Sequence, residues 1–244
     1  MKYLLIILSL WFLPQIVKAD NRLIAFQETD FLFRGKNSNR AHNIQLATSL
    51  INQRTIQPGE IFSFNDTVGP RTSFRGFRKA KTIVLGNLEE RWGGGVCQVA
   101  GTFHAAIFQA GLEIIESRQH SRLSQYLSAG LDTTVVYGYK DFRFRNNFNS
   151  LIVIKLFLVH PGRLRAEVWS TETPVVKIDI MLLASQFFST RIIYTCENLR
   201  IGQRDVWDQG APYTLIRRRR YVNGIWDERI IRYNLANRII RICR

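Results

Sequence analysis

Apolar and polar positions along this chain fall into two rhythms, and helical spacing shows in only two places. Over 40–53 the apolar residues Ile44, Ala47, Leu50 and Ile51 recur three and four apart, which predicts a helix with one face on a sheet. Asn39 is the expected cap, and Pro58-Gly59 ends the connection beyond it. Over 96–110, Val99, Phe103, Ala106, Ile107 and Ala110 form a broader apolar face, while Ala100, Gly101 and Ala105 leave room for a close neighbour. Gly111 follows, where a left-handed residue ends a helix.

Elsewhere the rhythm has period two. Strands are predicted over 22–33, 60–64, 80–85, 112–116, 135–139, 142–144, 151–158 and 162–169, and 65–78 reads as a long ordered loop. Short strands separated by Gly, Asn and Pro turns predict an α+β fold, mainly antiparallel sheet with two principal helices. Beyond residue 175 the alternation continues over 190–195, 213–222 and 229–242, with Asn223-Gly224 as a hairpin turn. This C-terminal β-rich basic segment, 175–244, is set apart as an extension or accessory module from a core of 20–174. Arg217 to Arg220 carries two readings: a binding patch, or the solvated face and edge of a strand.

The first 19 residues follow neither rhythm. Lys2, an apolar run from Leu4 to Phe12 and the Val17-Lys18-Ala19 site have the form of an export signal cleaved before Asp20. An uncleaved anchor is the alternative, although Pro14 and Gln15 interrupt the apolar run. The expected compartment is therefore periplasmic or extracellular.

Charge narrows the partners. The chain carries 34 Lys and Arg against 19 Asp and Glu, a net +15 that becomes +13 once Lys2 and Lys18 leave with the signal. Such a balance favours peptidoglycan or another anionic envelope polymer, with peripheral contact to anionic lipid headgroups. Nucleic acid fits by charge but not by compartment, so no specific nucleic-acid partner is expected. Export also permits disulfides, and of Cys97, Cys196 and Cys243 the last two bracket the basic segment. The expected bridge is Cys196–Cys243, with Cys97 free.

Candidate chemistry gathers at Trp92 to Gly111, WGGGVCQVAGTFHAAIFQAG. Gly93, Gly94 and Gly95 allow a tight approach of backbone, and the helix that follows turns its positive end and free N–H groups toward an anion. A thiol there is favoured as thiolate, which makes Cys97 the candidate nucleophile. His104 stands two turns along, about 10 Å away at the helical rise, too far for a direct bond. His120 is the preferred base, brought back by the strand after the helix, with Asp132 to orient its ring. Gln98 is a candidate oxyanion donor, and Asp141, Arg143, Tyr137 and Tyr139 are candidates for substrate support. Zinc would need a short-spaced partner that Cys97 lacks, so no metal and no cofactor are expected. An inert buried thiol is the plain alternative.

Three blocks carry a family resemblance: RAHNIQLATSLINQRTIQPGEIFSFNDTVGPRTSFRGF, WGGGVCQVAGTFHAAIFQAGLEIIESRQHS, and GLDTTVVYG with KDFRFRNN. Together, over about 40–154, they resemble the VanW-like family of exported bacterial proteins. The resemblance implies an association with the cell envelope, in some members with glycopeptide resistance, and a peptidoglycan-facing role. Members commonly carry two serines after CQV and an Arg-Asp pair in the Gly-x-Asp segment. Here those places hold Ala100-Gly101 and Leu131-Asp132, which argues against a serine nucleophile and keeps the thiol.

The leading expectation is thus an envelope enzyme in which Cys97 attacks an amide or peptide bond of wall peptides, by hydrolysis or transfer. Two rivals remain. One is a noncatalytic wall-binding or scaffold protein, and the other a lyase on an acidic glycan using His120, Arg143, Tyr137 and Tyr139.

Overall fold

The computed structural model describes residues 21–31, 38–84, 87–160 and 162–243, so the expected signal at 1–19 lies outside the described residues. In chain order the elements are β1 (Arg22–Asp30), α1 (Asn39–Ile51), β2 (Arg54–Ile56), β3 (Ile61–Ser63), α2 (Phe64–Val68), β4 (Lys79–Val84), β5 (Asn87–Trp92), α3 (Val96–Gln109), β6 (Glu113–Glu116), β7 (Arg143–Arg145), β8 (Ile152–His160) and β9 (Arg163–Ser170). The basic segment adds β10 (Val176–Gln186), β11 (Thr190–Tyr194), β12 (Arg204–Asp208), β13 (Tyr213–Val222), β14 (Ile225–Tyr233) and β15 (Arg238–Ile242). The described residues form mainly antiparallel sheets with three α-helices, an α+β layout.

The main sheet has the order β1-β9-β8-β2. Period-two alternation puts Ile152, Ile154 and Leu156 of β8 beside Leu164, Ala166 and Val168 of β9 on one buried face. Helix α1 packs on β8, and α3 packs on β1 and β9. Every residue from Gln98 to Phe108 is buried, as expected of a helix that forms the centre of a core rather than its rim. Phe103 holds that centre, with ring centroids 5.3 Å from Phe62, 5.5 Å from Phe142 and 5.7 Å from Phe144.

Several local expectations need correction. Helix α1 is capped by Ser38, whose Oγ accepts from the Ala41 N–H at 3.2 Å, while the Asn39 amide donates to the Lys79 carbonyl at 3.0 Å. The 65–78 loop begins inside α2, which Ser63 caps through the Asp66 N–H at 3.0 Å. Strand β5 was not foreseen, because NLEERW has too few apolar residues to show an alternation. At 135–139 there is only a single bridge, Val136 to Lys140, because Gly138 at φ 75° turns the chain between them. The alternation over 229–242 is two strands in different sheets.

The C-terminal segment forms the sheets β10-β13-β14 and β11-β15-β12, with β11 and β15 parallel. Asn223 at φ 44° and Gly224 at φ 100° make the expected hairpin turn. The expected disulfide joins Cys196 to Cys243 with Cα atoms 4.5 Å apart, and Cys97 is free. The reading of Arg217 to Arg220 as a strand edge fails, because β13 lies in the middle of its sheet. Alternation buries Arg218 and Arg220, whose guanidinium groups lie 4.3 and 4.2 Å from the centre of the Phe108 ring. Arg220 Nη1 donates to the carbonyls of Phe108 at 3.3 Å and Leu112 at 3.0 Å, supplying positive charge at the C-terminal end of α3.

Candidate active site

The site is built at the start of α3. Gly93 and Gly95 have φ of 77° and 108°, and both pass under arginine stems. A Cβ at Gly93 would stand 2.6 Å from Arg71 Cγ, one at Gly95 3.1 Å from Arg40 Cγ, and one at Gly94 would overlap the Ala80 carbonyl. Three glycines are therefore needed here for space as well as for turning. Cys97, the second residue of α3, is half-buried, with its sulfur 3.6 Å from both Thr134 Oγ1 and the Val135 carbonyl oxygen.

After β6 the chain runs without strands until β7 and passes back over this helix start. It brings His120 against the Cys97 sulfur, close enough that each shifts the titration of the other. His120 Nδ1 donates to Asp132 Oδ2 at 2.7 Å, and the same oxygen accepts the His120 backbone N–H at 2.9 Å. With Nδ1 so occupied, Nε2 is the ring nitrogen left for the thiol. The structure thus brings Cys97, His120 and Asp132 together in that order.

Asp132 is held from several directions. Tyr233 of β14 donates to Oδ1 at 2.5 Å and accepts the Gly130 N–H at 2.6 Å. Arg218 Nη1 donates to the Gly130 carbonyl at 2.5 Å. His104 Nδ1 donates to the Leu131 carbonyl at 2.8 Å, fixing the residue before the carboxylate. Burial lowers the His104 pKa to about 4, so that ring is neutral.

Electrostatics follow from these contacts. Burial works to keep the Cys97 thiol protonated, but the hydrogen bond and charge of His120 outweigh it and lower its pKa to about 7. Burial equally disfavours the His120 cation, yet Asp132 and Cys97 raise its pKa to about 9. Burial also opposes the Asp132 carboxylate, and the hydrogen bonds from His120 and Tyr233 hold its pKa below the ordinary carboxylate value. The favoured state between about 7 and about 9 is thiolate beside imidazolium.

The other predicted residues lie elsewhere. Gln98, expected as an oxyanion donor, is corrected: its amide nitrogen donates to Thr29 Oγ1 at 3.1 Å and to the Asp30 carbonyl at 3.0 Å, leaving no hydrogen for a substrate. Its Oε1 instead accepts from Arg40 Nη2 at 2.7 Å. Tyr137, Tyr139, Asp141 and Arg143 line an open cleft of about 430 Å³ whose lining does not include Cys97 or His120. Both Asp141 oxygens are engaged, Oδ2 by Ser63 Oγ at 2.6 Å and Oδ1 by the N–H groups of Asn65 at 2.9 Å and Phe142 at 2.8 Å. The lyase grouping of His120 with Arg143 and the two tyrosines is accordingly split between two places. Residues missed in the sequence are Arg40 and Arg71, whose charges act on Cys97, together with Tyr126 and Tyr233. No spacing marks Arg40, Arg71 and Tyr233, which reach the site from distant segments, while Tyr126 sits between His120 and Asp132.

The family described as "VanW like protein" matches residues 39–169, more than half of the chain and all of the Cys97, His120 and Asp132 arrangement. This chain belongs to the VanW-like family. It is 41% identical to "Uncharacterized protein YoaR" of Bacillus subtilis (strain 168) over 144 residues, which is 57% of this chain and 48% of that protein. It is 28% identical to "Vancomycin B-type resistance protein VanW" of Enterococcus faecalis (strain ATCC 700802 / V583) over 114 residues, 45% of this chain and 42% of that protein. The VanW-like chain therefore spans less than half the length of these two relatives. Tyr233 and Arg218, which hold the Asp132 loop, lie outside the segment that the VanW-like family covers.

Proposed function

We propose that this VanW-like chain is a cell-envelope enzyme that uses Cys97 as a nucleophile on an amide or peptide bond of peptidoglycan peptides. The observation that carries the reading is the line from Asp132 Oδ2 through His120 Nδ1 to a ring edge facing the Cys97 sulfur. The envelope as the setting is supported by the resistance protein among its relatives and by a net charge of +15 suited to anionic wall polymer.

In the proposed reaction the thiolate attacks the carbonyl carbon, forming a C–S bond and moving an electron pair onto oxygen. Among the described residues, the N–H groups of Gly93, Gly94, Val96 and Gln98 are bonded to the carbonyls of Arg78, Arg91, Gly93 and Gly95. Those of Gly95 and Cys97 are left to receive the oxyanion, a narrower cradle than the sequence suggested. His120 Nε2–H then protonates the leaving amine as the C–N bond breaks, giving a thioester and a neutral ring. That ring takes a proton from water or from an acceptor amine, which attacks the thioester and releases the thiolate.

Cys97→Ala is expected to abolish product release from purified murein peptides while leaving the circular dichroism spectrum unchanged. A wild-type acyl adduct on Cys97, trapped by acid quench and seen by mass spectrometry, is the direct sign of the covalent step. Undiminished release by the alanine variant rejects the reading. Binding of murein with no change in its fragments, by wild type and variant alike, assigns the chain to the wall-binding class instead.

A further inference from the structure

Two arginines overhang the glycine run, and neither is in an ion pair among the described residues. Arg40 is committed: Nη2 donates to Gln98 Oε1 at 2.7 Å and Nη1 to the Lys81 carbonyl at 3.5 Å. Arg71 is not. Its stem lies on Gly93, its guanidinium carbon is 5.5 Å from the centre of the Phe64 ring, and Nη1 donates to the Gly69 carbonyl at 2.8 Å. Nη2 is buried with no partner.

An unpartnered guanidinium N–H in a half-buried place is costly unless a ligand completes it. Arg71 acts electrostatically on Cys97, and also on Asp141 and Tyr137 of the open cleft. It makes no hydrogen bond to the sulfur, whose partners are Thr134, Val135 and His120. A carbonyl carbon on the sulfur and an anionic group on Arg71 therefore do not compete for one place.

We propose that Arg71 is a specificity residue that binds a substrate carboxylate close to the bond attacked by Cys97. The substrate class is a peptide bearing a carboxylate next to the scissile carbonyl, on its terminal residue or on a side chain. This inference rests on the nucleophile reading of Cys97. The glycine run gains a second purpose in it: any side chain at Gly93 would push the Arg71 stem away from the site.

Two alkylating agents test the idea and separate it from its foundation. Iodoacetamide and iodoacetate both form a C–S bond with the thiolate and release iodide, but only the second brings a carboxylate. A lost carboxylate contact is expected to lower the iodoacetate to iodoacetamide rate ratio at Cys97 about tenfold in Arg71→Gln. A change in thiolate fraction alone moves both rates together and leaves the ratio fixed. Arg71→Lys, which keeps the charge without the fork, is expected to fall between the two.

A wild-type measurement guards against a variant that fails to fold. N-acetylalanine is expected to protect Cys97 from iodoacetamide, whereas its amide is not. An unchanged ratio in a folded Arg71→Gln, or equal protection by acid and amide, overturns the carboxylate site while leaving the nucleophile standing. Failure of iodoacetamide itself to label Cys97 in the wild type removes both.

Discussion

The sheet under α3 and the sheet built on β13 are held by different forces. The first shares a large apolar cluster with α1 and α3, in which most side chains are fully buried. Among the described residues, the second has a buried apolar cluster of Ile216, Ile231 and Tyr233, with Leu123 and Ala129 packed on it, and polar groups add to its attachment. Arg218 and Arg220 donate to carbonyls at Gly130, Phe108 and Leu112, and Tyr233 reaches Asp132. The thiol thus belongs to a region fixed by packing, which is dense and tolerates little displacement, whereas its distant carboxylate is steadied by directional bonds. Substitutions in the two regions should separate chemistry from attachment.

The largest effect on that contrast is expected at the junction itself. Asp132→Asn removes the charge that stabilises the His120 cation, and turnover is expected to fall by about two to four orders of magnitude with little change in substrate binding. Kinetics on a soluble murein peptide would show the split, and a loss confined to binding would break the contrast. Acidity comes next. Below about 7 the sulfur gains a proton, so both turnover and alkylation fall as pH drops; above about 9 the imidazolium loses its proton, so turnover falls while alkylation does not. Coincident profiles for the two reactions would show that no acid is used.

Tyr233→Phe is a smaller change from the polar region. It leaves the ring in place, removes one donor to a buried carboxylate, and is expected to cost about 1.5–3 kcal/mol of stability. The acid limb of turnover should also move, and a shift in melting temperature with an unmoved pH profile would place Tyr233 in attachment alone. Smallest at the site is loss of the disulfide, which closes a 47-residue separation within the C-terminal segment. Replacing Cys196 and Cys243 by serine is expected to lower stability by up to about 4 kcal/mol and to leave iodoacetamide labelling of Cys97 unchanged. Altered labelling would show that the two regions are coupled more tightly than their contacts imply.

The same division explains what could be read in advance. Both long helices were visible because their apolar residues recur three and four apart, and Asn223-Gly224 announced its hairpin because few other residues adopt those angles. Cys97 stood out as a thiol just after a glycine run at a helix start, and His120 and Asp132 as polar residues in the irregular stretch after β6. Gln98 was misjudged from adjacency: one step along a helix turns a side chain by about 100°, which aims it at β1 instead of along the sulfur's direction. Tyr233 could not be seen at all, since its carboxylate partner is 101 residues away and no local rhythm records such a meeting. Arg218 and Arg220 misled because four arginines in a row look solvated, and alternate burial appears only once the strand has neighbours on both sides.

The Tyr233 hydroxyl has one more consequence. A protein expressed from the family segment alone would contain thiol, imidazole and carboxylate, yet its acid would meet water where the phenol now stands. Assays on such a fragment would sample a differently tuned site, and a weak result from it would say little about a chain that carries Tyr233.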